Sequence, residues 1–534
     1  MTVTIAEHIA ESLYRKGVRF VYGIPGGPSI PLMEAFRNAG IEFILVSHES
    51  AGGIMADISA RLTGIPGVCH ATSGPGAANL ATAAGEALLD RSPLIILTTE
   101  MSDRMINRTT QMNIDHQKLF RPVTKASFRM TPENSWHLIN DAFRISLAEY
   151  PGPVHIGIPS DISSVEALTA TALPDEVVTE TPDNDEERIR EIIKTSSRPV
   201  IAAGLTAARH GTGNMLAALL DDHKIPVILT PMAKGLISED HPCYAGVLFH
   251  ALSDYLEDIV NDADLLIGLG YDPVEYDYES WITDVPLIHF NTIDADLPER
   301  ENIFSYTGPP DEWFGLLKNL DMVSGNSDIS RVETVRYEVS SVLDGFRDHF
   351  GPVTALAVLG EEIPHDAIVT FDVGSHLHLA GQMWRTYGNP NMLITNGWSG
   401  MGFGIPAALA AKLIRPSSTA VCVTGDGGFL MMAGELMTAR RYNIPVIIVV
   451  FSDGELNLIK LKQSWKNLQH YATGLYSADL FESDTFLGID VITADSEVSL
   501  RKAINESLNV SRPVIINARI DPDDYKWLVV RKES

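Results

Sequence analysis

Five short β-branched runs, each led by a proline, most constrain what this chain can fold into: Pro93-LIILTT, Pro199-VIAAG, Pro226-VILT, Pro445-VIIVVF and Pro513-VIINARI. Each is too short for a buried helix and too continuous for a half-exposed strand. They read as strands covered on both faces. Helical patterns such as Ala77–Leu89 and Ala433–Arg441 fall between such runs. Strand and helix in alternation build α/β units around parallel sheets. Two polar stretches of linker composition, Thr169–Glu187 and Met322–Glu333, break the pattern. They divide the 534 residues into a first domain over 1–168, a central domain over 188–322 and a third over 335–534. Three α/β domains of ordinary size are predicted.

Charge excludes one large class of function. The chain has 40 lysines and arginines against 69 aspartates and glutamates, a formal charge of −29, and no basic run. Nucleic-acid binders need clustered cations to neutralise phosphates, so none is expected as a partner. Cys69, Cys243 and Cys422 are far apart and form no CxxC, which argues against a disulfide or zinc scaffold and fits a reducing cytoplasm. The opening MTVTIAEHIAESLYRKG reads as an amphipathic helix rather than a signal peptide. No apolar run approaches the roughly 18 residues a membrane helix needs. Small-molecule chemistry is the expectation.

Glycine loops suggest which chemistry. Gly425-Asp426-Gly427-Gly428 follows the run Ala420–Val423 and precedes a helical pattern. A strand, a glycine turn and a helix start present backbone N–H groups to a diphosphate, although GDGG alone equally suits a tight turn. A second element lies downstream, where the next strand ends in Ser452-Asp453-Gly454-Glu455. Successive parallel strands bring their C-terminal ends side by side, so Asp426 and Asp453 can converge on one Mg²⁺. The chain has no GxxxxGK[ST] lysine loop at this place, which points to a diphosphate cofactor rather than ATP. A dinucleotide site fits worse: Gly74-Pro75-Gly76 lacks the third glycine, and Gly402-Phe403-Gly404-Ile405-Pro406 fails likewise. Ser73-GPGAANLATAAGEAL and Ser399-GMGFGIPAALAAKL are loosely alike, suggesting related architecture in the first and third domains.

Together these residues resemble the thiamin diphosphate (ThDP) enzymes of the acetolactate synthase and 2-oxo acid decarboxylase type. In the first domain the likeness rests on Gly23-IPGGPSIPLMEAF, His48-Glu49-Ser50-Ala51, Ala56-Asp57, Thr72-SGPGAANL, Phe120-RPVTK and Pro151-GPVHIGIPSDI. In the third it rests on Asp372-VGSH, Asn396-GWSGMGFGIPAAL, and GDG with Asp453 placed 27 residues after Asp426. The central Ala263-DLLIGLGYDPVEYDYESW looks like the catabolic, flavin-independent acetolactate synthases. Those enzymes also resemble this chain in having Asp, not the family's commoner Asn, at the second metal position.

The resemblance implies three doubly wound parallel-sheet α/β domains: pyrimidine-binding, central and diphosphate-binding. It implies that Glu49 protonates N1′ of the cofactor and so activates it; as a plain helix residue, Glu49 would simply favour the first turn. Met401 would lie under the bent cofactor, and the carbonyl of Ser399 would accept from its 4′-amino group. Asp426, Asp453 and the backbone carbonyl of Glu455 would hold Mg²⁺. Gly374, Ser375, His376, Gly425, Gly427 and Gly428 would lie along the diphosphate. His376 and His378, read as a strand pair sharing a face, could suggest zinc, but no third ligand is near in sequence. Pro25, Gly26, His48, Gln111, Met112, His116 and Trp398 are the substrate-pocket candidates. Met112 stands where the family's synthases usually have Gln, with Gln111 one residue early, and Trp398 is bulky for its place.

The activity implied is decarboxylation of a pyruvate-like 2-oxo acid with carboligation to a second carbonyl compound. A simple 2-oxo acid decarboxylase or C–C lyase stays open, as does, remotely, a non-catalytic paralogue. No FAD is expected, because no arginine-rich stretch follows Gly268-Leu269-Gly270-Tyr271. The resemblance further implies a homodimer or homotetramer with active sites at the dimer interface.

Overall fold

A computed structural model describes residues 3–168, 184–275, 281–318, 329–477 and 479–528. Three mostly parallel sheets flanked by helices make up this α/β fold. The first sheet holds β1 (Phe20–Ile24), β2 (Glu42–Leu45), β3 (Gly67–Ala71), β4 (Leu94–Glu100), β5 (Ala126–Arg129) and β6 (Pro153–Pro159), ordered β2-β1-β3-β4-β6-β5. The second holds β7 (Pro199–Ala203), β8 (Val227–Leu229), β9 (Tyr244–Val247), β10 (Leu265–Leu269), β11 (Leu287–Asn291) and β12 (Ile303–Thr307), ordered β12-β11-β10-β7-β8-β9. The third begins with β13 (Ile368–Phe371), β14 (Met392–Leu393), β15 (Ala420–Gly425) and β16 (Ile447–Ser452). It is completed by β17 (Thr485–Phe486), β18 (Ile489–Ala494) and β19 (Val514–Arg519), in the order β14-β13-β15-β16-β19-β18-β17. Only the short β17–β18 pair is antiparallel among the described strands.

All five proline-led runs are strands (β4, β7, β8, β16 and β19), buried along nearly their whole length. The opening segment is the helix Ile5–Arg15, started by a capping box between Thr4 and Glu7, and it buries Ile5, Ile9 and Leu13. Two expectations shift. The helix expected over Ala433–Arg441 begins at Glu435, and a separate short helix, Asp426–Met432, precedes it. The linker expected over Met322–Glu333 turns helical at Ile329; its earlier residues lie outside the described ones, as do 169–183 of the first linker. Val332, Val335, Val339 and Val342 recur at helical spacing there, a stripe masked by polar neighbours. Val332 and Val335 join the central core, whereas Val342 packs on the third domain.

The first and third domains share one apolar core. The helix Glu49–Thr63 lies against the helix Gly404–Ile414, and both are built largely of small residues. A Cβ added to Gly53 would meet Ala83 Cβ at 2.4 Å, and one at Gly67 would meet Ala56 O at 1.9 Å. Close-packed interiors forbid that extra volume. Among the described residues no helix is long and apolar enough to cross a membrane. Cys69, Cys243 and Cys422 are buried and free.

Each sheet has a point where successive connections leave in opposite directions from neighbouring parallel strands: between β1 and β3, between β7 and β10, and between β13 and β15. Doubly wound sheets bind ligands in the crevice beyond the strand C-termini at such points. In the central sheet the segments that follow β7 and β10 pack on each other at this point. Gly204 lies against Tyr271, and Glu275 Oε2 accepts from Leu205 N at 2.9 Å, where a helix begins. Burial pushes the Glu275 carboxyl up to about 8. The folded chain therefore holds a proton there that the unfolded chain loses near the ordinary carboxylate value. Stability contributed at this site falls as pH rises from about 4.5 to about 8, then levels off. Glu275→Gln is expected to flatten that decline, read as melting temperature against pH; an unchanged slope would show that another group sets it.

Candidate active site

The crevice of the third sheet is open. A cavity of about 140 Å³ lies at the ends of β13, β15 and β16, lined by Gly374, Ser375, His376, Met401, Gly425, Asp426, Gly427, Gly428, Asp453 and Glu455 among others. Residues spread over 81 positions of sequence thus meet at one point, because each follows a strand beside the switch point. Seven further lining residues were not site candidates by name from sequence: Val373, Phe451, Leu456, Asn457, Leu458, Ile459 and Tyr525.

Two acids face each other at the cavity's polar end. Asp426 Oδ2 accepts from Gly454 N at 2.7 Å, Tyr476 Oη at 2.9 Å and Asp453 N at 3.2 Å, while Oδ1 accepts from Gly427 N at 2.8 Å. Burial raises Asp426 above the ordinary carboxylate range despite these donors. Burial, then the charge of Asp426, pushes Asp453 up to about 8. Two buried carboxylates, one of them raised further by the charge of the other, favour a cation between them. The Glu455 carboxylate is turned away to Lys460, so its side chain is already paired.

The opposite wall carries donors. Ser375 Oγ and His376 Nε2 are buried and have no hydrogen-bond partner among the described residues. Burial pushes His376 down to about 4, leaving a neutral ring that can donate from one nitrogen. His376 and His378 lie on the helix Ser375–Met383, not on a strand, so they do not share a face. His376 sits beside Phe451 and His378 beside His250. Gly428 is glycine for a visible reason: a Cβ would come within 2.6 Å of Asp372 Oδ2. Asp372, which heads the Asp372-VGSH run but had no role assigned from sequence, is fully buried and accepts from the backbone N–H groups of Val373, Gly402 and Gly404 and from Thr424 Oγ1. It ties the loop bearing Met401 to β13 and β15.

Ser399 and Trp398 lie elsewhere. Ser399, with a left-handed φ of 53°, lines a neighbouring cavity of about 320 Å³ with His250, Glu275, Thr395 and Asn396; Val373 and Gly374 form the shared wall. The Trp398 ring is partly exposed and packs over Gly85, whose added Cβ would come within 2.8 Å of it.

Glu49 occupies the first position of the helix Glu49–Thr63, capped by His48. It is buried; Asn79 Nδ2 donates to its Oε2 at 2.9 Å, and Oε1 faces Gly76. A residue missed from sequence secures it from the third domain: Glu435 Oε1 accepts from Ser47 N and His48 N, each at 2.9 Å. Pro25 and Gly26 follow β1, with Gly26 against Thr72, at the first sheet's own switch point. Gln111 and Met112 are on an exposed loop, with Met112 backing onto Gly74. His116 is 2% exposed, behind that loop. None of the first-domain candidates lines the cavity around Asp426.

The fold and this crevice define a class, and comparison with known proteins agrees. Three family models match: the N-terminal TPP binding domain of thiamine pyrophosphate enzymes over residues 3–119, the central domain over 187–305 and the C-terminal TPP binding domain over 372–518. The chain belongs to the thiamine pyrophosphate enzyme family. Within it, the chain is 30% identical to a probable acetolactate synthase large subunit of Methanococcus aeolicus, over 98% of this chain and 93% of that one. It is 30% identical to the acetolactate synthase isozyme 1 large subunit of Escherichia coli, over 99% and 96% respectively. An acetolactate synthase of Bacillus subtilis is 29% identical over 97% and 93%. It is a thiamin diphosphate-dependent enzyme of the acetolactate synthase type.

Proposed function

We propose that this enzyme decarboxylates pyruvate or a close 2-oxo acid and joins the resulting two-carbon unit to a second carbonyl compound, with Mg²⁺ anchoring the cofactor. One observation carries the reading: a single cavity pairs converging carboxylates, Asp426 and Asp453, with buried, unpartnered donors on Ser375 and His376. That donor set fits a metal-bound diphosphate. Asp426, Asp453 and the carbonyl of Glu455 would hold the ion, while Ser375, His376 and the N–H groups of Gly427 and Gly428 would hold the phosphates. Thiamin diphosphate, when bound, supplies the nucleophilic carbon and the electron sink for decarboxylation. The protein's part is to orient that group over Met401 and to exchange a proton through Glu49. Gln111, Met112 and Trp398 are the candidates for shaping the acceptor pocket.

The reading requires two chains. Every wall of the Asp426 cavity comes from residues 373–525 of the third domain, while Glu49 faces Gly76 and Asn79 of the first. Leu430, Met431 and Met437, exposed just after the glycine loop in sequence, and Ile459, exposed and lining the same cavity as that loop, provide apolar surface for a partner. A homodimer, or a homotetramer built of two such dimers, completes the site with the partner's first domain. Activity should fall on dilution with the dimer fraction; activity that persists in a monomer by light scattering would refute this. No flavin belongs to the reading.

Proton NMR of the protein with thiamin diphosphate, Mg²⁺ and pyruvate tests the reaction. Acetolactate is the expected product. Acetaldehyde alone would replace the reading with a simple decarboxylase, and failure to bind the cofactor would overturn it.

A further inference from the structure

The interior of the first domain contains a polar chain that this chemistry leaves unused. Glu100, His116 and His155 are all buried, with ligand atoms within 4.8 Å of one another, a grouping that could suggest a metal. Hydrogen bonds already present compete with that. Thr98 Oγ1 lies 2.8 Å from both His116 Nδ1 and His155 Nε2, and Glu100 accepts from Gln117 and Arg129. The nitrogens a cation would take therefore already share one hydroxyl.

These partners also give the chain a direction. Gly74 N–H points at His116 Nε2, 3.5 Å away, so that nitrogen presents a lone pair and a neutral ring carries its proton on Nδ1. Nδ1–H donates to Thr98. The single hydroxyl proton of Thr98 then goes to His155 Nε2, and His155, protonated on Nδ1, donates to Ser127 Oγ at 2.8 Å. Burial holds both rings neutral, with His116 pushed down to about 4 and His155 well below its ordinary value.

The Gly74 end of this relay touches two elements of the site. A Cβ on Gly74 would meet Met112 O at 2.9 Å, and one on Gly76 would meet Glu49 Oε1 at 3.3 Å. We propose that Thr98, His116 and His155 are positioning residues: their directional hydrogen bonds seat the Ser73–Gly76 turn between Met112 and Glu49. The proposal rests on the role given to Glu49 above. A displacement of about 1 Å can cost a hundredfold in rate, so small shifts of this turn matter.

Two arms test it. In the first, Thr98→Val keeps the shape and loses the hydroxyl, while Thr98→Ser keeps the hydroxyl. With the enzyme loaded with thiamin diphosphate and Mg²⁺, Thr98→Val is expected to lower kcat about tenfold to a hundredfold with KM for pyruvate little changed, and Thr98→Ser to restore it. Parent-like kcat in Thr98→Val, with loss in Thr98→Ser, would assign Thr98 to packing alone and overturn the proposal. In the second, ¹⁵N NMR of histidine-labelled parent protein without substrate is expected to show His116 and His155 both protonated on Nδ1. An Nε2–H tautomer in either ring, or Co²⁺ uptake with d–d bands lost in His155→Ala, would overturn it. If the parent turns over no 2-oxo acid, the functional reading fails while the ¹⁵N arm still decides the relay.

Discussion

Glu49→Gln should lower turnover of the 2-oxo acid by about 10²- to 10⁴-fold, the range in which positioned acids and bases contribute. Cofactor and Mg²⁺ binding should survive. The side chain keeps its length, and Asn79, which donates to Oε2 at 2.9 Å, can reverse its amide to meet the new one. The surroundings also stay in place, because Glu435 holds the backbone of Ser47 and His48 independently of the Glu49 carboxyl. Titration calorimetry with thiamin diphosphate and single-turnover kinetics together separate the two effects. Parent-like turnover in Glu49→Gln would remove Glu49 from the chemistry.

Asp426→Asn should act on binding instead. The Asp426 carboxylate accepts from Gly427 N, Asp453 N, Gly454 N and Tyr476 Oη. An amide offers one acceptor oxygen and turns an NH₂ toward N–H donors, which leaves buried groups unpaired. The loop would open and an ion ligand would be lost, so Mg²⁺-dependent cofactor affinity is expected to fall by about 100-fold or more. The thermal stabilisation that a hundredfold excess of cofactor over its Kd confers on the parent, about 2.7 kcal/mol, should largely disappear. Asp453→Asn should be milder, because it keeps an oxygen ligand and removes the carboxyl that burial and the charge of Asp426 already push up. Equal cofactor affinity in Asp426→Asn and the parent would show that no metal is held there.

Much of this site was legible because its signals are local. Gly425–Gly428 and Asp453 follow β15 and β16, and consecutive parallel neighbours place their C-terminal ends together whatever the rest of the chain does. The Gly374–His376 segment follows β13 for the same reason. What escaped notice came from far in sequence or from a changed period. His378 faces away from His376 because a helix, not a strand, carries both. Glu435 reaches Ser47 from 388 positions away, and Tyr476 reaches Asp426 from 50. Ser399 and Trp398 follow the motif in order, yet Ser399 lines the adjoining cavity and the Trp398 ring lies over Gly85.

Sequence by itself determined the strands, their burial and the glycine-acid turns at their ends. Side-chain period and backbone conformational preference are properties of a few neighbouring residues. Only the tertiary structure decided that Asp372 organises three loops, that Glu275 accepts from the start of the helix after β7, and that Thr98 joins two histidines. Those pairings have no sequence period. They exist because packing three sheets removes these polar groups from water and obliges each to find its partner inside.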